Sequence, residues 1–215
     1  HCAAVSGNSE LTKHLLDIWP ESQRLDAMKM QDENGKTVMH WTVMSDNLES
    51  IKSTLRWIPE SKRLDIVSMR DRHGHTVLFP AACSHRFNSV HAIVNSLPES
   101  HRLTVVNIQD EYGATVLHRA VELGTLETVK TILALYPESQ HPTRIRMQDS
   151  ENRTVLHYAA NSDDFAMIEF LLSLLPEPER SVTVNMQDRN GDSVLQLVPS
   201  EVTRESIIEL LQTKK

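Results

Sequence analysis

Val106-Asn107-Ile108-Gln109-Asp110-Glu111-Tyr112-Gly113-Ala114-Thr115-Val116-Leu117-His118-Arg119-Ala120-Val121-Glu122-Leu123-Gly124 is the stretch that decides the fold. Its core, Asp110-x-x-Gly113-x-Thr115-Val116-Leu117-His118-x-Ala120, recurs along the chain. The leading aspartates stand at Asp32, Asp71, Asp110, Asp149 and Asp188, each 39 residues after the last. A fixed period in the range of roughly 20–50 residues means stacked repeats, each burying its apolar face against the next.

Each unit reads the same way. The turn carries Gly35, Gly74, Gly113 and Gly191 where a positive φ is expected, with Asn152 in the fourth turn. Thr37, Thr76, Thr115, Thr154 and Ser193 stand where a helix N-cap belongs. A short first helix is expected from Val116 to Leu123, ended by Gly124. In the second helix Val129, Ile132, Leu133 and Tyr136 fall at i, i+3, i+4 and i+7, with parallel sets in the other units.

A second ladder follows: Pro20-Glu21-Ser22, Pro59-Glu60-Ser61, Pro98-Glu99-Ser100, Pro137-Glu138-Ser139 and Pro176-Glu177-Pro178. Proline suits the first position of a helical turn there. Glu60 with Arg63 and Glu99 with Arg102 are spaced for i, i+3 ion pairs. Alternating apolar residues (Met28 and Met30, Val67 and Met69, Val106 and Ile108) then lead to the next Asp. In the last unit Gln196 replaces His and Pro199 breaks the expected first helix. A closing helix is expected from Arg204 to Leu211, with Glu205, Glu209 and Gln212 outward.

These residues resemble the ankyrin repeat, whose signature is a turn Asp, then Gly, then Thr-Pro-Leu-His-x-Ala-Ala. The likeness is closest at Thr154-Val155-Leu156-His157-Tyr158-Ala159-Ala160. It departs in having Val38, Val77, Val116, Val155 and Val194 after Thr/Ser, and in exceeding the usual period of about 33. The Pro-Glu-Ser insert is similar to those of elongated repeats in secreted effectors of intracellular bacteria. The resemblance implies an all-α fold, an ankyrin-repeat solenoid of helix–turn–helix units with short-helical inserts between repeats. One domain over 1–215 is expected: a partial repeat over 1–31, full repeats over 32–70, 71–109, 110–148 and 149–187, and a cap over 188–215. His1 aligns with His40, His118 and His157, so a fragment of a longer protein is expected.

Composition agrees. Apolar residues make up 40% of the chain and aromatics only 5%, which suits stacked helices filled by Leu, Val, Ile and Met. The net charge of −7 argues against a nucleic-acid partner, which calls for clustered Lys and Arg. Two cysteines, Cys2 and Cys83, are too few for a disulfide framework and point to a reducing, cytoplasmic compartment, which includes a host cytosol if the chain is secreted. No apolar run is long enough to span a membrane.

Repeats allow an internal comparison. Residues identical in every unit are explained by architecture, so His40, His118 and His157 are read as structural. In ankyrin proteins the variable turn and first-helix positions line a concave groove and loop tips. That places Lys36, Trp41, Met44, Arg72, His73, His75, Glu111, Tyr112, Arg119, Glu122, Glu151, Arg153 and Tyr158 as candidate partner-binding residues. Aromatic and Arg side chains dominate binding hot spots. Packing between adjacent first helices is the competing reading for Trp41 and Tyr158.

His73, His75, Cys83 and His85 crowd one unit, yet their spacing matches no established zinc pattern, so neither metal nor cofactor is expected. No phosphate loop or paired-carboxylate motif is present. The expected function is therefore non-catalytic: a monomeric module binding a protein partner, such as a bacterial effector acting on a host protein. The alternative is the targeting or regulatory arm of a larger enzyme.

Overall fold

The structure, a computed structural model, describes residue 14 and residues 18–83 and 87–212. The opening half repeat around His1 and Cys2, and His85, lie outside them. In chain order the helices are α1 (Glu21–Lys29), α2 (Val38–Met44), α3 (Leu48–Trp57), α4 (Glu60–Val67), α5 (Leu78–Ala82), α6 (Phe87–Asn95), α7 (Glu99–Val106), α8 (Val116–Leu123), α9 (Leu126–Leu133), α10 (His141–Ile145), α11 (Val155–Asn161), α12 (Phe165–Ser173), α13 (Glu177–Val184), α14 (Val194–Leu197) and α15 (Glu201–Gln212). A 3-10 turn over Glu138–Gln140 precedes α10. Among the described residues there is no β-strand, only an isolated bridge between Gln187 and Ser193.

Three rows result. First helices stack on one another (α2 on α5, α5 on α8, α8 on α11, α11 on α14), second helices stack behind them (α3 on α6, α6 on α9), and insert helices form a third row in which α4 meets α7. One continuous core joins the rows, with Ile51, Leu55, Val90, Ile93, Val129, Ile132, Ile168 and Leu171 from the second helices buried in it.

Each unit starts at a turn the sequence dictates. Gly35, Gly74, Gly113 and Gly191 adopt φ between 74° and 88°, and Asn152 adopts 58°. The cap then closes reciprocally: Thr115 Oγ1 lies 2.9 Å from His118 Nδ1, and the Thr115 backbone N–H donates to the same nitrogen at 3.1 Å. Thr37 with His40 and Thr154 with His157 repeat this box, and Ser193 with Gln196 imitates it. The second unit lacks it. Phe79 stands in the His position, Thr76 only receives the Leu78 N–H at 3.4 Å, and α5 is reduced to five residues.

The inserts differ from the sequence expectation in three respects. They form helices of eight or nine residues in four units, so Met28, Val67 and Val106 are helical rather than parts of an alternating connection. In the remaining unit Pro142 stands inside the equivalent span, which divides into the 3-10 turn and α10. Proline occupies the N-cap, at φ near −52° and ψ near 140°, one place earlier than expected. Nor do Arg63 and Arg102 pair with Glu60 and Glu99. Arg63 Nε donates to Ile58 O and Nη1 to Ser96 O, 33 residues on, while Arg102 Nε donates to Leu97 O. A guanidinium gains more from an otherwise orphaned carbonyl than from an exposed carboxylate.

Two boundaries complete the picture. Pro199 stops α14 at Leu197, as expected, and α15 begins at Glu201, earlier than Arg204. Gly124 ends α8 with φ −94°, so no left-handed conformation is at work. Its reason is contact: a Cβ there would meet Ala120 O at 2.5 Å and Ala82 O, of the previous unit, at 2.6 Å.

Candidate functional site

The five turn aspartates build the face on which the candidate residues sit. One carboxylate oxygen of each accepts two backbone N–H groups. For Asp149 these come from Glu151 at 2.8 Å and Arg153 at 2.9 Å; for Asp71, from His73 at 2.9 Å and His75 at 3.0 Å. In three of the five the other oxygen takes a side chain nine residues on. Trp41 Nε1 donates to Asp32 Oδ2 at 2.7 Å, Arg119 Nη2 to Asp110 Oδ2 at 3.4 Å, and the Tyr158 hydroxyl to Asp149 Oδ2 at 2.6 Å. Burial alone pushes the Asp149 carboxyl up, but the Tyr158 hydroxyl and the Arg153 backbone and guanidinium outweigh it and hold the group below the ordinary carboxylate value.

This arrangement corrects part of the expected site. Tyr158 is 5% exposed, packed edge-on against the His118 ring and under the Arg153 guanidinium. It offers no surface to a partner. Trp41 is half-buried with Lys36 lying over its ring, and Arg119 is committed to Asp110 and Glu122. Arg153 is likewise engaged with Asp149, Nη2 to Oδ2 at 2.9 Å.

The turn tips remain open, and they are fastened to one another. The Arg72 N–H donates to Asn34 O, Glu111 N–H to His73 O, Ser150 N–H to Tyr112 O and Arg189 N–H to Glu151 O, at 2.8–3.1 Å. Side chains tie the same row: His73 Nδ1 lies 2.9 Å from Glu111 Oε1, and Arg189 Nη1 lies 3.0 Å from Glu151 Oε1. Arg72, His73, Glu111 and Tyr112 project outward from this backbone ladder, Tyr112 with 51% of its surface in water.

Beside the tips, the second unit opens a cleft of ≈ 360 Å³. It lies against shortened α5. Phe79 and Pro80 form its floor with Cys83, Met44 of α2 and Leu123 of α8 stand on either side, and Lys36, His73, His75 and Arg119 edge it. The His75 ring stacks on Phe79 at 4.8 Å, with Nδ1 3.7 Å from Asp71 Oδ2 and Nε2 3.5 Å from Asp110 Oδ2. The second of these is a loose contact rather than a well-aligned hydrogen bond, and Asp110 is the group that buried His75 Nε2 faces. Pro80 cannot supply the donor that Trp41, Arg119 and Tyr158 supply elsewhere, so His75 stands nearest to the free oxygen of Asp71. Phe79 and Pro80 carry the cleft, and the break in the His ladder was the signal for them.

His40, His118 and His157 sit inside the array. Their Nε2 atoms meet the backbone carbonyls of His75, Met147 and Met186 at 3.1 Å. Burial drives all three imidazoles below their ordinary pKa, against the partly opposing pull of those carbonyls and the nearby aspartates. They are neutral members of the scaffold. Among the described residues no three His, Cys, Asp or Glu side chains are grouped to hold a metal ion.

A family model of ankyrin repeats matches residues 91–186 in three copies. These residues belong to the ankyrin-repeat family. The turns and helix stacking of the matched span continue into residues 32–90, with the cap kept at Thr37 and lost at Thr76, and the fold is an all-α ankyrin solenoid. Ankyrin repeats are in general protein–protein interaction modules. The search of curated proteins found no match. Among the described residues no helix is long and apolar enough to cross a membrane.

Proposed function

We propose that the chain binds a protein partner through its turn tips and the adjoining cleft, without catalysing a reaction. The observation that carries this reading is the tip ladder, in which Arg72, His73, Glu111 and Tyr112 stand exposed on a backbone hydrogen-bonded from unit to unit. Side chains held in place before contact lose little ordering entropy on binding. On this reading the repeats at 32–70, 71–109, 110–148 and 149–187 present the surface and 188–215 closes the array. The likeness of the Pro-Glu-Ser insert to effector repeats favours a host protein as partner.

The test is affinity capture from eukaryotic cell lysate with the wild-type chain and an Arg72→Ala/Tyr112→Ala variant. Both positions are exposed, so circular dichroism of the variant should match wild type. A protein retained by wild type and lost by the folded variant supports the tips as the site. Equal retention by both moves the site elsewhere on the solenoid, and no retention by either removes the binding-module reading.

A further inference from the structure

Nothing in the repeat architecture requires the cleft at the second unit. The other full units place a His in the capping box and a donor after it, and their first helices run seven or eight residues. Here Phe79-Pro80 replaces both, α5 stops after five residues, and Cys83 continues in an extended conformation at ψ 144°. The cleft's volume of ≈ 360 Å³ lies at the small end of the range for ligand clefts, roughly 300–1,000 Å³. Its lips are apolar and wet: Met44 is 37% exposed and Leu123 52%. With Phe79 and Pro80 between them, they offer apolar surface on which a partner side chain could be buried.

The charges decide what that something is. Asp71 is the acid of the wall, but its side chain is 3% exposed and one oxygen already holds two backbone N–H groups. Arg119 is shared between Glu122 and Asp110. Lys36 makes no ion pair among the described residues, lying over the Trp41 ring with its ammonium at the cleft edge. His75 Nε2 is buried and faces Asp110 Oδ2 at 3.5 Å. The unused polar capacity is thus one cation, Lys36, beside an apolar floor.

We propose that this cleft takes an extended peptide of the partner protein in which a large apolar side chain is followed by a carboxylate. The apolar group enters between Met44, Pro80 and Leu123, and the carboxylate meets Lys36. The proposal rests on the protein-binding reading above and names the segment recognised. A basic peptide is disfavoured, because the one carboxylate in the wall, Asp71, is 3% exposed, with one oxygen on the backbone and His75 nearest to the other.

The test uses the full chain. Phage-displayed random peptides of about ten residues, long enough to lie across such a groove, are selected on it. Enriched peptides are then measured by fluorescence anisotropy against wild type, Lys36→Glu, Lys36→Gln, Leu123→Ser and, as a control outside the cleft, Lys130→Gln. The expected result is enrichment of an apolar–acidic pair, with affinity reduced about tenfold or more by Lys36→Glu and by Leu123→Ser, less by Lys36→Gln, and unchanged by Lys130→Gln. Enrichment of Lys- or Arg-bearing peptides, no enrichment at all, or equal binding by the cleft variants overturns the proposal. If lysate capture still depends on Arg72 and Tyr112 while the cleft selects nothing, the cleft fails alone. If both fail, the binding-module reading falls with it.

Discussion

The Tyr158 hydroxyl donates to Asp149 Oδ2 at 2.6 Å, while the other oxygen of that carboxylate holds the N–H groups of Glu151 and Arg153. Trp41 does the same for Asp32 and Arg119 for Asp110, always nine residues after the aspartate. Indole, guanidinium and phenol thus perform one task with three chemistries. A position that varies between repeats is not for that reason free to bind a partner.

Tyr158→Phe should therefore cost stability rather than binding. It removes a hydrogen bond to a carboxylate, an interaction of about 1.5–3 kcal/mol, and Arg153 remains on the same oxygen, so the loss should fall near the lower figure. Urea unfolding measures it. A change under about 0.5 kcal/mol would show that Arg153 alone satisfies the carboxylate.

Acid should loosen the solenoid in two stages. Burial holds His40, His118 and His157 below their ordinary value of 6.5, so the unfolded chain binds protons that the folded chain refuses. Their contribution is complete above about pH 6.5 and is lost as the pH falls through that value toward the lower folded-state values. Asp32, Asp110 and Asp149, held below 3.8 by hydrogen bonds that outweigh their burial, add a loss of the same sign in more acid solution. His118→Gln isolates the first stage. Gln196 already fills this place in the last unit, its Oε1 accepting from Ser193 N–H and Oγ at 2.9 Å. The variant should be less stable at neutral pH but should show a shallower loss between pH 6.5 and 5. An unchanged slope would remove His118 from the titration.

The insert row makes an opposite pair of predictions for two residues three apart. Glu60 is exposed and makes no ion pair with Arg63, so Glu60→Ala should change urea-unfolding stability by no more than about 0.5 kcal/mol. Arg63 holds two carbonyls, one of them in the next unit, so Arg63→Ala should cost about 1–3 kcal/mol. Equal effects would restore the ion-pair reading of the Pro-Glu-Ser-x-Arg spacing.

Much of the fold was legible because it repeats. The 39-residue spacing of Asp32 through Asp188 located every turn, the positive φ of the turn glycines and Asn152 followed from residue type, and α8 has the bounds its sequence suggested. The geometry of the candidate site was legible only in part. Arg72, His73, Glu111 and Tyr112 stand on open tips as expected, but Tyr158 is buried because a phenol reaches Asp149 just as Trp41 reaches Asp32. That equivalence lies in the geometry of a nine-residue return, not in residue likeness. The cleft escaped notice for the converse reason: Phe79 is an ordinary apolar residue, and its meaning comes from the histidine it displaces and the helix it shortens.

Two glycines with different places in the repeat, Gly191 in a turn and Gly124 at a helix end, should respond differently to the same substitution. Gly191 adopts φ +88° in the last turn, and nothing lies within 4 Å of where a Cβ would stand. Gly191→Ala therefore meets only the left-handed penalty, about 1–2 kcal/mol. Gly124 has an allowed φ of −94°, but its Cβ would press on the carbonyl oxygens of Ala120 and Ala82 at 2.5 and 2.6 Å. The Ala82 carbonyl cannot retreat without parting α5 from α8, since overpacked cores shift at a cost of about 1–3 kcal/mol and more where the neighbour is backbone. Because stacked repeats are held by nearest-neighbour contacts, this damage falls on the junction between the second and third units. Gly124→Ala should lower the urea midpoint more than Gly191→Ala. It should also raise amide hydrogen exchange in α5 and α8 while α11 and α12 stay protected. Equal midpoints, or exchange spread evenly along the array, would show that the junction yields and that Gly124 is only a helix terminator.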